Sequence, residues 1–80
     1  MEQQIIEQPK KLIEMMDVQS SNIKSVGYDA EAKELYVQFN SCMYKYLNVE
    51  PIIFEGLKLA ESKGKYMNLV KKTYTYVKVN

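Results

Sequence analysis

Three short segments with the composition of β-strands, joined by connections of only a few residues, constrain the fold of this chain most strongly. The segments are rich in Val, Ile, Tyr and Phe and comprise residues 23–28, 34–39 and 43–49. In the second segment, Leu35, Val37 and Phe39 alternate with more polar residues, which is typical of a strand with one buried face. Connections this short cannot hold the crossover that parallel strands need, so the sequence predicts a three-stranded antiparallel meander.

After the third segment, the spacing of apolar residues changes from that of a strand to that of a helix. Pro51 suits the first position of a helix, and Leu57 lies at the centre of the apolar face that follows. After a break at residues 62–64, helical spacing resumes over residues 66–73, and the alternating residues 74–79 could add a short C-terminal edge strand. The predicted fold class is therefore α+β, with the three-stranded antiparallel meander followed by two helices packed on one face.

Residues 1–14 are predicted to form an N-terminal arm or a short helix outside a single domain of residues 15–80. Ile5 and Leu12 have the seven-residue spacing of one helical stripe, but Pro9 interrupts it. The arm could equally be a dimerisation element, and the sequence leaves the oligomeric state open. No apolar run approaches the roughly 18 residues of a membrane span, and the N-terminus lacks the apolar stretch of a signal peptide, so we expect no membrane partner.

Composition limits the chemistry that the chain can perform. It has no histidine and a single cysteine, Cys42, whereas a zinc site needs three or four ligands drawn mainly from these residue types. No glycine-rich phosphate loop or nucleophile motif is present, so we expect no enzyme activity, no cofactor and no metal. A lone cysteine cannot form an internal disulfide, which favours a cytoplasmic location. Without a histidine to activate it, the thiol is expected to be inert or regulatory.

Charge is distributed unevenly along the chain. Residues 58–80 contain six lysines and one acidic residue, whereas residues 1–57 contain five lysines and nine acidic residues. A basic segment on a nearly neutral chain favours a surface that faces a polyanion. The alternative is that lysines such as Lys71 and Lys72 only keep one helix face soluble.

Tyr44 and Tyr46 lie two residues apart in the third predicted strand and therefore point to the same face of the sheet. As exposed rings they would form a platform for unpaired bases, each stacking contact contributing about 1–3 kcal/mol. As core residues they would pack under a helix instead, because a domain of this size needs large apolar side chains in its interior. The sequence leaves both interpretations open.

The segment from Ser62 to Tyr66 also permits two interpretations. A serine and a glycine before a helix expose backbone N–H groups at its positive end, and Lys63 and Lys65 would reinforce such an anion site. Alternatively, Ser62 caps the second helix and Gly64 ends the first. The chain has no arginine, so its cationic side chains are lysines. A lysine ammonium acts as a point charge and cannot form the paired hydrogen bonds of a guanidinium group. The predicted nucleic-acid-binding residues are Tyr44, Tyr46, Ser62, Lys63, Lys65, Tyr66, Lys71 and Lys72.

Four segments in order resemble the KTSC domain, a family named for the C-terminal extension of some lysyl-tRNA synthetases. They are residues 18–29, residues 35–39, the Tyr44-Lys45-Tyr46 motif, and residues 60–66 with the closing Tyr74. The resemblance covers about residues 16–76. The chain departs from the family pattern at Cys42, where glycine is usual, and at Glu50, which separates a valine and a proline that are usually adjacent.

The resemblance implies a small bacterial or phage protein of a family without an established activity. An RNA-binding role has been suggested for the family from its attachment to a tRNA synthetase. Together with the lysines of residues 58–80, this predicts a small non-enzymatic binding module for RNA or tRNA. The alternative is a protein-interaction module, such as a small phage or host adaptor that uses its tyrosines, methionines and N-terminal arm, since tyrosine and methionine are enriched at such interfaces.

Overall fold

A five-stranded antiparallel sheet with two helices on one face forms the α+β fold of the computed structural model, which describes residues 13–79. The strands follow one another across the sheet in chain order, and both helices lie between the fourth and fifth strands along the chain. The elements are β1 (Met16–Asp17), β2 (Ile23–Asp29), β3 (Glu34–Phe39), β4 (Met43–Tyr46), α1 (Pro51–Leu59), α2 (Lys63–Thr73) and β5 (Tyr76–Lys78).

The predicted three-stranded meander is wrong, because the sheet has five strands. β5 lies within residues 74–79, where the sequence indicates a short C-terminal edge strand, whereas β1 is not predicted. β1 pairs with β2 through Met16 and Asp17, and two residues are too few to show any alternation in the sequence. β5 pairs with β4 after the chain has passed through both helices, so the helices interrupt the sheet rather than follow it. The α+β class itself agrees with the structure.

Strand register places the apolar side chains on the face that the helices cover. Val37 lies opposite Val26 on one side and Tyr44 on the other, and directly opposed residues share a face of the sheet. An irregularity in β2 between Ile23 and Ser25 turns the Ile23 side chain to this same face. The helix-covered face and the helices bury Ile23, Val26, Leu35, Val37, Tyr46, Val49, Leu57, Met67 and Val70.

The turn before β4 accommodates Cys42, at the position where the resemblance to the KTSC domain implies glycine. In the part of the chain that the structure describes, non-glycine residues with positive φ are Lys33 and Asn48, and Cys42 is not among them. The turn is closed by the backbone, with the Phe39 N–H donating to the Cys42 carbonyl oxygen at 2.7 Å. Neither helix within residues 13–79 has the length and apolar character needed to cross a membrane.

Residues 13–15 run over the sheet face opposite the helices, directly above Gly27. A Cβ atom on Gly27 would lie 2.7 Å from the Met15 sulfur, 2.8 Å from the Glu14 carbonyl oxygen and 2.9 Å from a methyl group of Ile13. Glycine is therefore required here by a close backbone approach. The last residues of the predicted N-terminal arm thus contact the sheet, while residues 1–12 lie outside the described residues.

We predict that Gly27→Ala destabilises the full-length chain by about 1–3 kcal/mol, because the new methyl group must displace the backbone at Glu14. In a chain that begins at Met16, the same substitution should be neutral or slightly stabilising, because nothing remains to collide with and alanine restricts the unfolded chain. Urea unfolding of the four proteins measures both effects. An equal cost in both backgrounds would show that residues 13–15 do not rest on Gly27.

We also predict that Leu57→Ala lowers the free energy of unfolding by about 2–5 kcal/mol, because Leu57 is fully buried between α1 and the sheet. The matched control is Leu59→Ala in the same helix, where the side chain is 83% exposed and the loss should stay within about 0.5 kcal/mol. Thermal and urea unfolding report the difference. Similar losses for the two variants would contradict the assignment of the buried face of α1.

Candidate functional site

Ser62 and Lys63 lie at the junction between α1 and α2. The side chain of each is hydrogen-bonded to backbone groups of these helices. The Ser62 hydroxyl caps α2 by accepting a hydrogen bond from the Lys65 N–H at 3.3 Å. The Lys63 ammonium donates to the carbonyl oxygens of Ala60 at 2.7 Å and Lys58 at 3.3 Å. A cation at this position neutralises carbonyl groups that have no partner within α1 and stabilises the negative end of the helix. Both groups are committed to the helix junction.

Tyr66 spans the same junction from α2 to α1. Its hydroxyl donates to the Ile53 carbonyl oxygen at 3.0 Å. The ring reaches this carbonyl by passing over Gly56, where a Cβ atom would overlap the Tyr66 hydroxyl and lie 2.9 Å from the ring carbon that bears it. Glycine at residue 56 therefore makes room for the tyrosine. Like Ser62 and Lys63, Tyr66 holds the helices together.

Tyr46 lies in the core and is unavailable for stacking on a ligand. Its side chain is 1% exposed, opposite Leu35 in the sheet. Burial is the main cause that raises the pKa of Tyr46 to about 12, with smaller contributions from Tyr76 and Tyr44. The hydroxyl is therefore neutral at physiological pH, and Tyr46 leaves the set of candidate ligand contacts.

Tyr44 occupies the more accessible end of the same face, within a row of aromatic rings. Its ring packs edge-on against Phe39 at 5.8 Å and against Tyr76 at 5.2 Å between centroids. The Lys71 ammonium lies 5.1 Å from the centroid of the Phe39 ring, within the range of a cation–π contact. The structure thus brings Tyr44 and Lys71 together through Phe39.

A polar groove runs beside α2 and leads to this aromatic row. One part, about 400 Å³ in volume, lies between residues 19–22 and the first turns of α2. The second part, about 290 Å³, shares Asn22, Gly64 and Asn68 with the first and extends to Phe39 and Lys71. These shared residues make the two parts continuous from the β1–β2 loop to the start of the aromatic row.

Gly64 forms an open wall of this groove. A Cβ atom here would meet only the Asn22 side-chain nitrogen at 3.8 Å, an ordinary van der Waals contact, and Gly64 does not have positive φ. Glycine inside a helix costs about 0.5–1 kcal/mol relative to alanine. Neither packing nor backbone conformation requires the glycine, in contrast to Gly27 and Gly56. Its effect is to leave the groove wide.

Besides Lys63, the lysines at the groove are exposed and lack carboxylate partners within residues 13–79. Lys65 and Lys71 line the groove. Lys72 lies on the same side of α2 as Lys65, seven residues or about two helical turns away. None of the three is in an ion pair within the described part of the chain, whereas Lys33, Lys45 and Lys58 are paired with glutamates. Glu61 is the acidic residue that lines the groove.

Sequence reasoning missed the amide side chains of the groove, Asn22, Asn40 and Asn68, and the ring of Phe39. Asn22 and Asn40 lie in turns, where asparagine is explained by turn geometry alone. Asn68 lies within the helical spacing of residues 66–73, but nothing in the sequence pairs it with residues of the sheet. Within residues 13–79, no cluster of three or more Cys, Asp or Glu side chains is arranged to hold a metal ion.

Comparison with known proteins identifies the family of this chain. The family model of the KTSC domain matches residues 19–76. An uncharacterized protein of Stutzerimonas stutzeri is 40% identical over 60 residues, which are 74% of this chain and 84% of that protein. A protein of Tsukamurella paurometabola is 37% identical over 59 residues, 72% of this chain and 88% of its own length.

The fold is likewise similar to a solved structure. The crystal structure of a KTSC domain protein from Yersinia pestis superimposes with a TM-score of 0.83 at 30% sequence identity. The match covers 86% of this chain and all of the other.

We predict that Lys63→Met lowers the free energy of unfolding by about 1–2 kcal/mol, because two hydrogen bonds from a charged donor are lost at the end of α1. Lys65→Met is the matched control in the same helical turn, and its exposed side chain should contribute less than about 0.5 kcal/mol. Urea unfolding at neutral pH compares the two variants. Equal effects would mean that the Lys63 ammonium does not cap α1.

Proposed function

We propose that this chain, which belongs to the KTSC domain family, is a small non-enzymatic module that binds single-stranded RNA. The ligand would lie along a surface that we term the α2 strip. It consists of Lys65, Lys71 and Lys72 of α2 and Tyr44 of β4. The observation that carries the proposal is that exposed, unpaired lysines and an accessible aromatic row border one continuous groove. Lysine positions the phosphate backbone, and a tyrosine face accepts a base.

The spacing of the lysines suits a phosphate chain. Lys65 and Lys72 are seven residues apart in α2, which corresponds to about 10 Å along the helix axis. Lys71 points towards the sheet side of the same helix, where its ammonium lies over Phe39. Lys65 and Lys72 on one side of the helix and Lys71 on its sheet side are separated cations that can neutralise successive phosphates, and the groove beside them accommodates sugars and bases.

The absence of arginine defines what kind of RNA binding is expected. Lysine ammonium groups act as point charges and do not read the edge of a guanine in the bidentate manner of arginine. Stacking on Tyr44 tolerates any base, because every base has an aromatic face. The module is therefore proposed to bind unpaired RNA, including unpaired parts of tRNA, weakly and with little sequence preference. A cytoplasmic location belongs to the same proposal.

A protein-interaction module is the second candidate, and the outer side of the helices favours it. Ile52, Leu59 and Leu69 are each more than 60% exposed. A small apolar groove lies between the helices, bordered by Ile53 and Leu69. Apolar groups of this kind can anchor a protein partner, and such binding would respond little to salt.

The first test is the salt dependence of RNA binding, measured by fluorescence anisotropy with a short labelled oligouridine. Neutralising about three phosphates of a single strand predicts a log–log slope near −2, from roughly −0.7 per contact. The double substitution Lys65→Gln and Lys71→Gln should make the slope shallower by about 1.4. Lys33→Gln is the control, because Lys33 precedes β3 at the end of the sheet farthest from the groove, and it should leave the slope unchanged.

The second test separates stacking from charge. Tyr44→Ala should weaken binding by about 1–3 kcal/mol without changing the slope, because stacking releases no counterions. Tyr36→Ala is the matched control, since Tyr36 lies on the sheet face opposite the helices, and it should bind like the unmodified chain. No binding by the unmodified chain even at about 50 mM salt would reject RNA and leave the protein-interaction module.

A further inference from the structure

Within residues 13–79, β5 is an edge strand of the sheet, and its outer backbone groups face away from the sheet. The Val79 N–H donates to the Met43 carbonyl oxygen at 2.8 Å, and the Thr75 carbonyl oxygen accepts from the Leu47 N–H at 2.8 Å. Backbone groups of an antiparallel strand point alternately to its two sides. The N–H and C=O groups of Tyr76 and Lys78 therefore point to the open edge, where they can bond to another strand.

This edge has the features of a pairing surface. Residues 75–79 contain no proline or glycine and a single charge, and Tyr76 is 51% exposed while Val77 and Val79 are each 43% exposed. Apolar side chains on an open strand favour association with another strand. The opposite edge differs, because β1 has only two residues and includes Asp17.

We propose that two copies of this chain associate through β5, in an antiparallel pair centred on Val77. The two five-stranded sheets would become one continuous ten-stranded sheet. Such an interface is isologous, since the same strand contributes to both sides. The outward backbone groups of β5 are not part of the α2 strip, so pairing through them does not require RNA binding.

The charge of Lys78 selects this register. With Val77 at the centre, Tyr76 lies opposite Lys78 of the partner subunit, and both pairs of outward backbone groups form hydrogen bonds. A pair centred on Lys78 would place two ammonium groups opposite each other, which is destabilising. A pair centred on Tyr76 would place Lys78 opposite the partner's Tyr74, which lies outside β5 at the end of α2. The Val77-centred register alone uses both outward residues of β5.

The side chains on the other face of the strand are also complementary in this register. Val77 faces Val77 of the partner subunit, and Thr75 faces the partner's Val79. These are β-branched side chains, which pack well in cross-strand pairs. Because only five residues of each copy take part, the interface is smaller than a standard one, and we expect a dissociation constant between about 1 μM and 1 mM.

The register can be tested by site-directed disulfide formation in the full-length chain. Val77→Cys in a Cys42→Ser background places two cysteines at a non-hydrogen-bonded pair, where Cα atoms are about 4.5 Å apart and a disulfide can form. Oxidised glutathione should convert this variant to a covalent species of twice 9.4 kDa. Thr75→Cys in the same background is the control and should remain a single chain, because it faces the partner's Val79. Absence of cross-linking at residue 77, or equal cross-linking at both residues, would overturn the proposal.

A second experiment uses charge at the exposed residues 75 and 79 and needs no oxidation. Thr75→Glu with Val79→Glu should abolish the dimer in sedimentation equilibrium, because like charges then face each other twice. Thr75→Glu with Val79→Lys should retain it, since each glutamate then faces a lysine. Circular dichroism establishes that both variants are folded. A single-chain mass for the unmodified protein at millimolar concentration, or the same mass for both variants, would contradict the proposed pair and leave the edge to a strand of another protein.

Discussion

The ammonium group of Lys63, held by the carbonyl oxygens of Ala60 and Lys58, fixes the turn from α1 into α2. The Ser62 cap and the Tyr66 hydroxyl act at the same junction, and together with the buried Met67 and Val70 they position α2 on the sheet. The direction of α2 in turn decides that Gly64 and Asn68 face Asn22. The groove therefore depends on a junction whose polar groups are already hydrogen-bonded within the protein.

Lysines of one short segment have three different physical roles. Lys63 completes the end of a helix, Lys71 lies over an aromatic ring, and Lys65 and Lys72 extend into solvent. Net charge treats these residues as equal, but the Lys63 ammonium is hydrogen-bonded to two carbonyl oxygens, whereas Lys65, Lys71 and Lys72 are in no ion pair within residues 13–79. The basic character of residues 58–80 thus overstates the number of cations that a ligand would meet.

The parts of the fold that the sequence predicted are those where a period repeats. β3 alternates over six residues, so it shows its buried face in the sequence. The helical spacing of residues 66–73 predicts α2 but not its full buried face, because Met67 is buried and Leu69 is 63% exposed. β1 repeats nothing over two residues, and its pairing with β2 arises only when the sheet forms. Whether Tyr44 and Tyr46 form a stacking platform or pack in the core depends on which face of the sheet the helices cover. This is decided by the tertiary structure and not by the local sequence. The structure separates the two residues, since the helices bury Tyr46 and leave the Tyr44 ring at the end of the covered region.

The position of β5 connects the candidate ligand surface to the open edge of the sheet. Tyr76 packs against both Tyr44 and Tyr46, so β5 supports the aromatic row from the side opposite α2. The groove lies over the ends of β2 and β3, two strands or more from that edge, and pairing through β5 would leave it open. The twofold axis of an antiparallel strand pair is perpendicular to the sheet, so the helices of both copies would lie on the same face. An RNA long enough to reach both α2 strips would then bind more tightly than to one, because the second contact becomes intramolecular.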